Sequence, residues 1–266
     1  MKKILWFLCA LLLACATAAE ASPAVEVRDD LGKYFRGYVG TMVIYDQTGD
    51  RYIVYNEPQS HKRLSPCSTF KIFNSLIGLE TGVLEAADEK NLMTWDGTHR
   101  SIDSWNRDHT LASATSNSVV WYFQSLAARI GEQRMQERID GIGYGNRDIS
   151  GGLTTFWLRS SLRITAREQV DLLTKLYSGR LPFSAGNVAI VKRNITLAEN
   201  DGTVFMGKTG SGFEDGRWLL GWFVGGVERQ GKRYVFAVNI EAPDGATGVA
   251  ARKIAETVLK DLGILP

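Results

Sequence analysis

The chain has 266 residues, 44% of them hydrophobic, with 31 basic against 29 acidic side chains and a net charge of +2. That length supports one large core or two lobes built together, and the near-neutral balance gives no electrostatic reason to expect a nucleic acid or an anionic membrane as partner. His61, His99 and His109 stand without any HxH, HExxH or paired-cysteine context, so neither a metal site nor a metal cofactor is expected.

Lys2 and Lys3 precede the apolar run Ile4 to Ala14, which is followed by small residues at Ala16, Ala18, Ala19 and Ala21. This is the order of a secretory signal over residues 1–21, with cleavage expected before Ser22. The run is too short to span a bilayer and no later segment reads as transmembrane, so export to the periplasm without stable membrane insertion is expected. Leu12-Leu13-Ala14-Cys15 loosely resembles a lipoprotein cleavage site, but Leu13 is unusual there and anchoring at Cys15 ranks second. Removing residues 1–21 takes Cys9 and Cys15 with it and leaves Cys67 alone. No internal disulfide can then form, and with no histidine placed by sequence to activate it, Cys67 reads as a small buried packing residue.

Tyr38 to Tyr45 and Arg51 to Tyr55 are β-rich runs joined by Asp46-Gln47-Thr48-Gly49-Asp50, which predicts a hairpin. A helix is expected from near Ser68, carrying Phe70, Phe73, Leu76, Ile77 and Leu79 and stopping at Thr81-Gly82. From Asp88 to Gly179 the pattern is mostly helical, with a helix over Ser118 to Ile130. A second helix over Thr165 to Ser178 opens on the capping box Thr165-Ala166-Arg167-Glu168. Val204 to Met206, Trp218 to Val227 and Arg233 to Ile240 read as strands, and Val249 to Leu262 as a last helix. There is no internal repeat, low-complexity tract or flexible linker. Residues 22–266 are therefore expected to form one unit, with a sheet lobe at about 22–65 and 200–266 and a helical lobe at about 66–199. A cleft between the lobes is the natural site.

Gly202-Thr203-Val204-Phe205-Met206-Gly207-Lys208-Thr209 satisfies the phosphate-loop pattern GxxxxGKT in form. The residues between its glycines are apolar strand formers, and no helix follows to present its N-terminus, so nucleotide binding is set aside. Ser68 and Lys71 lie three apart, a spacing that on a helix puts the lysine amine within reach of the serine hydroxyl as its base. This SxxK pair is weak alone, and so is Lys208-Thr209-Gly210. Their order, one at a helix start and the other on a late strand, strengthens both.

With Ser68-Thr69-Phe70-Lys71, Ser118-Val119-Val120, Tyr144-Gly145-Asn146, Phe156-Trp157-Leu158, Lys208-Thr209-Gly210 and a late Arg252 before the C-terminal helix, the chain resembles the class D serine β-lactamases, the oxacillinase type. The resemblance runs over most of residues 22–266 and implies an α+β fold: an antiparallel sheet flanked by N- and C-terminal helices, with an inserted all-helical lobe. It implies that Ser68 attacks the lactam carbonyl and that Ser118 passes a proton to the leaving nitrogen. It implies further that Lys71, carboxylated by carbon dioxide, is the general base for acylation and deacylation, with Trp157 holding the carbamate. Bicarbonate is then the sole additional requirement. Lys208, Thr209 and Arg252 would bind the substrate carboxylate, the backbone amides of Ser68 and Ser211 would face the oxyanion, and Val120, Tyr144 and Gly210 would complete the substrate site. From the residues alone, Trp157 reads as a core aromatic, and Arg252 is as readily a solvated helix residue as an anion ligand.

The class A asparagine is absent from Ser118-Val119-Val120, which also removes the usual glutamate mechanism by resemblance. A lysine accepts carbon dioxide only as the neutral amine, and Phe70, Val120, Trp157 and Leu158 are suitable apolar walls for one. Two rivals share the serine and lysine: a penicillin-sensing domain that stays acylated, and a cell-wall transpeptidase or carboxypeptidase. The expected partners are β-lactam molecules, with the chain a monomer or homodimer.

Overall fold

Alternating apolar residues in the central strands are divided between two cores, and this division organises the molecule. The computed structural model describes residues 22–266; the signal segment expected at 1–21, with Cys9 and Cys15, lies outside them. Seven strands form one sheet: β1 (Ala24–Val27), β2 (Val39–Asp46), β3 (Arg51–Tyr55), β4 (Thr196–Asn200), β5 (Thr203–Glu214), β6 (Arg217–Arg229) and β7 (Lys232–Glu241), in the order β1-β3-β2-β7-β6-β5-β4. Val43, Val54, Val224, Val235 and Ala237 face the helical lobe, while Met42, Ile44, Ile53, Phe223, Phe236 and Val238 face the opposite side. Period-two alternation thus builds both cores from the same strands.

The helices are α1 (Glu57–Ser60), α2 (Lys71–Glu80), α3 (Leu111–Ser116), α4 (Val120–Ile130), α5 (Glu132–Ile142), α6 (Ala166–Tyr177), α7 (Ala185–Asn194) and α8 (Gly248–Asp261). The outer core is covered by α8 and by a 3-10 segment at Asp29–Phe35, through Leu31, Phe35, Ile254, Ala255 and Val258. The inner core is covered by α2, α4 and α6, whose Phe73, Leu76, Phe123, Leu126, Val170 and Leu173 are buried. Each such side chain contributes about 1.5–3 kcal/mol of burial. In α6 the expected capping box is present, with the Thr165 hydroxyl accepting from the Glu168 amide and the Glu168 carboxylate accepting from the Thr165 amide.

The mixed α+β architecture matches the sequence reading, and three details differ from it. The sheet is not wholly antiparallel, because β1 pairs in parallel with β3. That strand has only four residues, three of them exposed, too little pattern to read. The strand expected at Val204 to Met206 and the one expected under Lys208-Thr209-Gly210 are a single strand that runs on to Glu214, because glycines let it pass under large neighbours: a Cβ on Gly207 would lie 2.3 Å from the Phe223 ring. The stretch from Asp88 to Gly179 is less helical than its pattern suggests. Its loops are held by side chains that capture backbone groups, such as Asn146, whose Nδ2 donates to Ser161 O while its Oδ1 accepts from Arg163 N. Among the described residues no helix is long and apolar enough to cross a membrane.

Candidate active site

Ser68 lies in a 3-10 turn, Cys67–Phe70, directly ahead of α2, rather than in the α-helix proper. Cys67 enters that turn at φ +50°, so the chain bends sharply and lifts Ser68 out of the core while Lys71 remains fully buried. Cys67 itself is buried and its thiol is pushed up to about 11 by desolvation, an inert packing residue as its sequence context suggests. The Lys71 Nζ donates to Ser68 Oγ at 3.0 Å, to Ser118 Oγ at 3.0 Å and to the Ser118 carbonyl at 2.6 Å. Ser118 is the pivot: it sits just before α4 at φ +53°, and its Oγ also accepts from Lys208 Nζ at 2.9 Å.

Two lysines around one hydroxyl, both buried, cannot both carry a charge cheaply. Burial, with the neighbouring Lys208 charge adding to it, holds the Lys71 pKa far below the ordinary lysine value. Burial lowers Lys208 to about 7. The neutral amine is therefore the favoured form of Lys71, as a base or a carboxylation site requires.

Strand β5 supplies the opposite wall. Its pairing with β4 ends at Met206, and the Gly207 amide makes the last bond on that side, to Ile195 O at 2.9 Å. Alternation then points the Thr209 and Ser211 amides to the same open side, while the Lys208 and Gly210 amides point toward β6, along which all four residues are in register. Gly210 is pressed against the nucleophile turn, where a Cβ would lie 3.0 Å from Pro66 O and 3.3 Å from Ser68 N. The Ser211 hydroxyl accepts from the Gly248 amide at 2.8 Å, which fixes the start of α8 against β5. Arg252 projects from the second turn of α8 and not from the segment before it. Together with Thr115, Lys208 and Thr209 it lines a cleft of about 110 Å³.

A model of the penicillin-binding protein transpeptidase domain matches residues 39–260. The chain is 40% identical over 275 aligned positions to a probable β-lactamase, YbxI, of Bacillus subtilis strain 168, covering 100% of this chain and 99% of that protein. Among solved structures, it is similar to the class D β-lactamase BAT-2, with a TM-score of 0.83 and 41% identity over 89% of this chain and 96% of that one. It is also similar to the C-terminal domain of the Bacillus licheniformis BlaR penicillin receptor, with a TM-score of 0.88 and 37% identity over 92% and 99%. The chain belongs to the penicillin-binding transpeptidase-domain family. Within it, the chain falls with the class D β-lactamases and the penicillin-receptor domains.

In this family member the structure gathers Ser68, Lys71, Ser118 and Lys208 into one hydrogen-bonded group and brings Thr209 and Arg252 to the adjoining cleft. Val120 is half-buried at the first residue of α4, next to that group. Trp157 is fully buried against Phe70, ring centroids 5.8 Å apart, and its indole N–H has no hydrogen-bond partner among the described residues. A buried donor left without a partner costs about 1–3 kcal/mol, so the site is short of an acceptor there.

Tyr144 requires a correction. It was expected to contact substrate, yet its ring is completely enclosed, edge-on to Phe70 at 5.3 Å and to Phe73 at 5.2 Å. It offers a ligand no surface. The Tyr144-Gly145-Asn146 motif is instead a staple: Gly145 sits at φ +50° where a Cβ would lie 2.0 Å from Arg163 O, and Asn146 ties down the loop as described above.

Ser65, which no sequence motif marks, joins the site through its hydroxyl, which accepts from the Arg159 amide at 2.8 Å and donates to Trp157 O at 3.0 Å. A serine in a loop beside a proline carries no pattern that could single it out.

Proposed function

We propose that the protein hydrolyses β-lactams through a Ser68 acyl-enzyme, with Lys71 in its carboxylated form as the general base. The observation that carries this is Lys71 itself, fully buried, biased to the neutral amine, and within 3.0 Å of both serine hydroxyls. The amine nitrogen would attack carbon dioxide, forming an N–C bond and releasing one proton, which leaves an anionic carbamate. Trp157, with its unpartnered N–H, is the donor available to it. The carboxylate would supply a base stronger in position than the amine, able to take the Ser68 proton and later that of a water.

Ser68 Oγ then attacks the lactam carbonyl, and the C–N bond breaks as Ser118 passes a proton to the leaving nitrogen. Lys208, bonded to Ser118 Oγ, favours the hydroxyl orientation that donates toward substrate. The oxyanion would be met by the backbone amides of Ser68 and Ser211, and losing one such donor typically costs about 3–4 kcal/mol in the barrier. Lys208, Thr209 and Arg252 would bind the substrate carboxylate in the cleft they share. Export to the periplasm, where β-lactams enter, belongs to the same proposal.

The likeness to the BlaR domain favours one alternative, a penicillin sensor that stays acylated. Both begin with Ser68 acylation, so turnover separates them. Purified protein should hydrolyse a chromogenic cephalosporin, losing activity when bicarbonate is withheld and regaining it on addition. Stoichiometric labelling with no turnover at any bicarbonate concentration would replace the enzyme reading with the sensor.

The two lysines also set a pH dependence. Lys71 must be unprotonated, so kcat/KM falls on the acid side as it gains a proton. Lys208 must be protonated to attract a carboxylate, so kcat/KM falls on the alkaline side as it loses one, from its lowered value of about 7 upward. Negative charge on carboxylated Lys71 raises that limb further. The check is a pair of pH profiles: an anionic β-lactam should show both limbs, and its carboxyl ester should lack the alkaline one.

A further inference from the structure

Ser65 lies three residues before the nucleophile and is buried, with 3% of its surface exposed. Its hydroxyl joins the residues on either side of Leu158: it donates to the Trp157 carbonyl at 3.0 Å and accepts the Arg159 amide at 2.8 Å. Its own carbonyl accepts the indole N–H of Trp222, on β6, at 2.9 Å. The preceding residue continues the seam, with Leu64 N bonded to Ile164 O at 2.9 Å and Ile164 N to Leu64 O at 2.8 Å. The loop carrying Trp157 is thus fixed directly to the segment that carries Ser68, and through Trp222 to the sheet. Arg159 is held at φ +53° at this junction, a conformation a non-glycine residue keeps only where its surroundings impose it.

We infer that Ser65 is a positioning residue for the carboxylated state of Lys71, its hydroxyl fixing the Trp157 backbone so that the buried indole N–H meets the carbamate. This rests on the carbamate reading proposed above and adds a residue to it. An indole swings with its backbone, and a functional group must be held within about 0.5 Å of its productive geometry by the residues that support it. Deleting the Ser65 hydroxyl leaves the Arg159 amide and the Trp157 carbonyl unpaired in a dry environment, so the loop relaxes toward other partners. The loss falls on the equilibrium between free and carboxylated Lys71 rather than on the chemistry of Ser68.

The test compares wild type with Ser65→Ala and Ser65→Thr, which keeps an oxygen. Ser65→Cys, of similar volume with a poor hydrogen-bonding group, is the second variant should the alanine form fail to fold. Carbamate occupancy is read without substrate by NMR after addition of 13C-bicarbonate, and hydrolysis is measured across a bicarbonate series. The bicarbonate needed for half-occupancy should rise about tenfold in the alanine or cysteine variant, the size expected for one well-placed hydrogen bond. Turnover should return at saturating bicarbonate, and the threonine variant should stay within about twofold of wild type by the same scale. Coincident bicarbonate curves, even with a lowered melting temperature, would reduce Ser65 to a structural residue and overturn the inference alone. A wild type with no carbamate signal would overturn the carbamate reading and this inference with it.

Discussion

Lys71→Ala is expected to lower turnover by at least about 10³-fold, within the range a positioned general base contributes. Ser68 remains in its 3-10 turn, which is set by the φ +50° bend at Cys67 and by the Thr69 hydroxyl bonded to Pro66 O at 2.7 Å, not by the lysine. The variant should therefore fold. Lys71 is a costly residue to bury, and its removal relieves a desolvated amine while leaving Ser118 still bonded to Lys208. Acylation should slow because the Ser68 proton has lost its acceptor. Deacylation should fail almost completely, because no carboxylate of the site replaces the base. Intact-mass measurement after long incubation should then show protein heavier by one ring-opened substrate, persisting after free substrate is removed. Bicarbonate should have no effect on the variant. Turnover within tenfold of wild type would mean that another group is the base.

Much of this arrangement is legible in the sequence because it rests on short-range spacing. Ser68 and Lys71 are joined by helical geometry, and Lys208, Thr209 and Gly210 by strand alternation, so their types and intervals carry the information directly. The capping box at Thr165 is local for the same reason. Residues whose role depends on what packs over them are less visible. Tyr144 belongs to one of the motifs that carry the resemblance, but its full burial between Phe70 and Phe73 follows from the closure of a loop that no period describes. Ser65 bonds to atoms more than ninety positions away, and only the assembled loop gives it partners. The short parallel strand β1 is visible only once β3 is placed, since parallel pairing leaves no trace in four residues.

Ser118 carries the other large expected effect, because a single hydroxyl receives both lysines. Replacing it with alanine leaves Lys71 its bonds to Ser68 Oγ and the residue 118 carbonyl, but takes from Lys208 its bond at 2.9 Å. It also removes the group that would carry a proton to the leaving nitrogen. A fall in kcat/KM of about 10²–10³-fold is expected, as for the loss of a proton-transferring side chain. The backbone at this position is at φ +53°, so alanine adds no relief from strain, whereas glycine adopts that conformation freely. Ser118→Gly should therefore lose as much activity as Ser118→Ala while melting at a higher temperature than it. The comparison separates the hydroxyl from the bend: equal kinetic loss in the two variants assigns the effect to the oxygen. Recovery of activity in the glycine form alone would assign it to the backbone and remove Ser118 from the proton path. A poorer leaving group should widen the deficit in both variants, because protonation of the departing nitrogen then limits the rate, and a series of β-lactams graded by leaving-group basicity measures that slope.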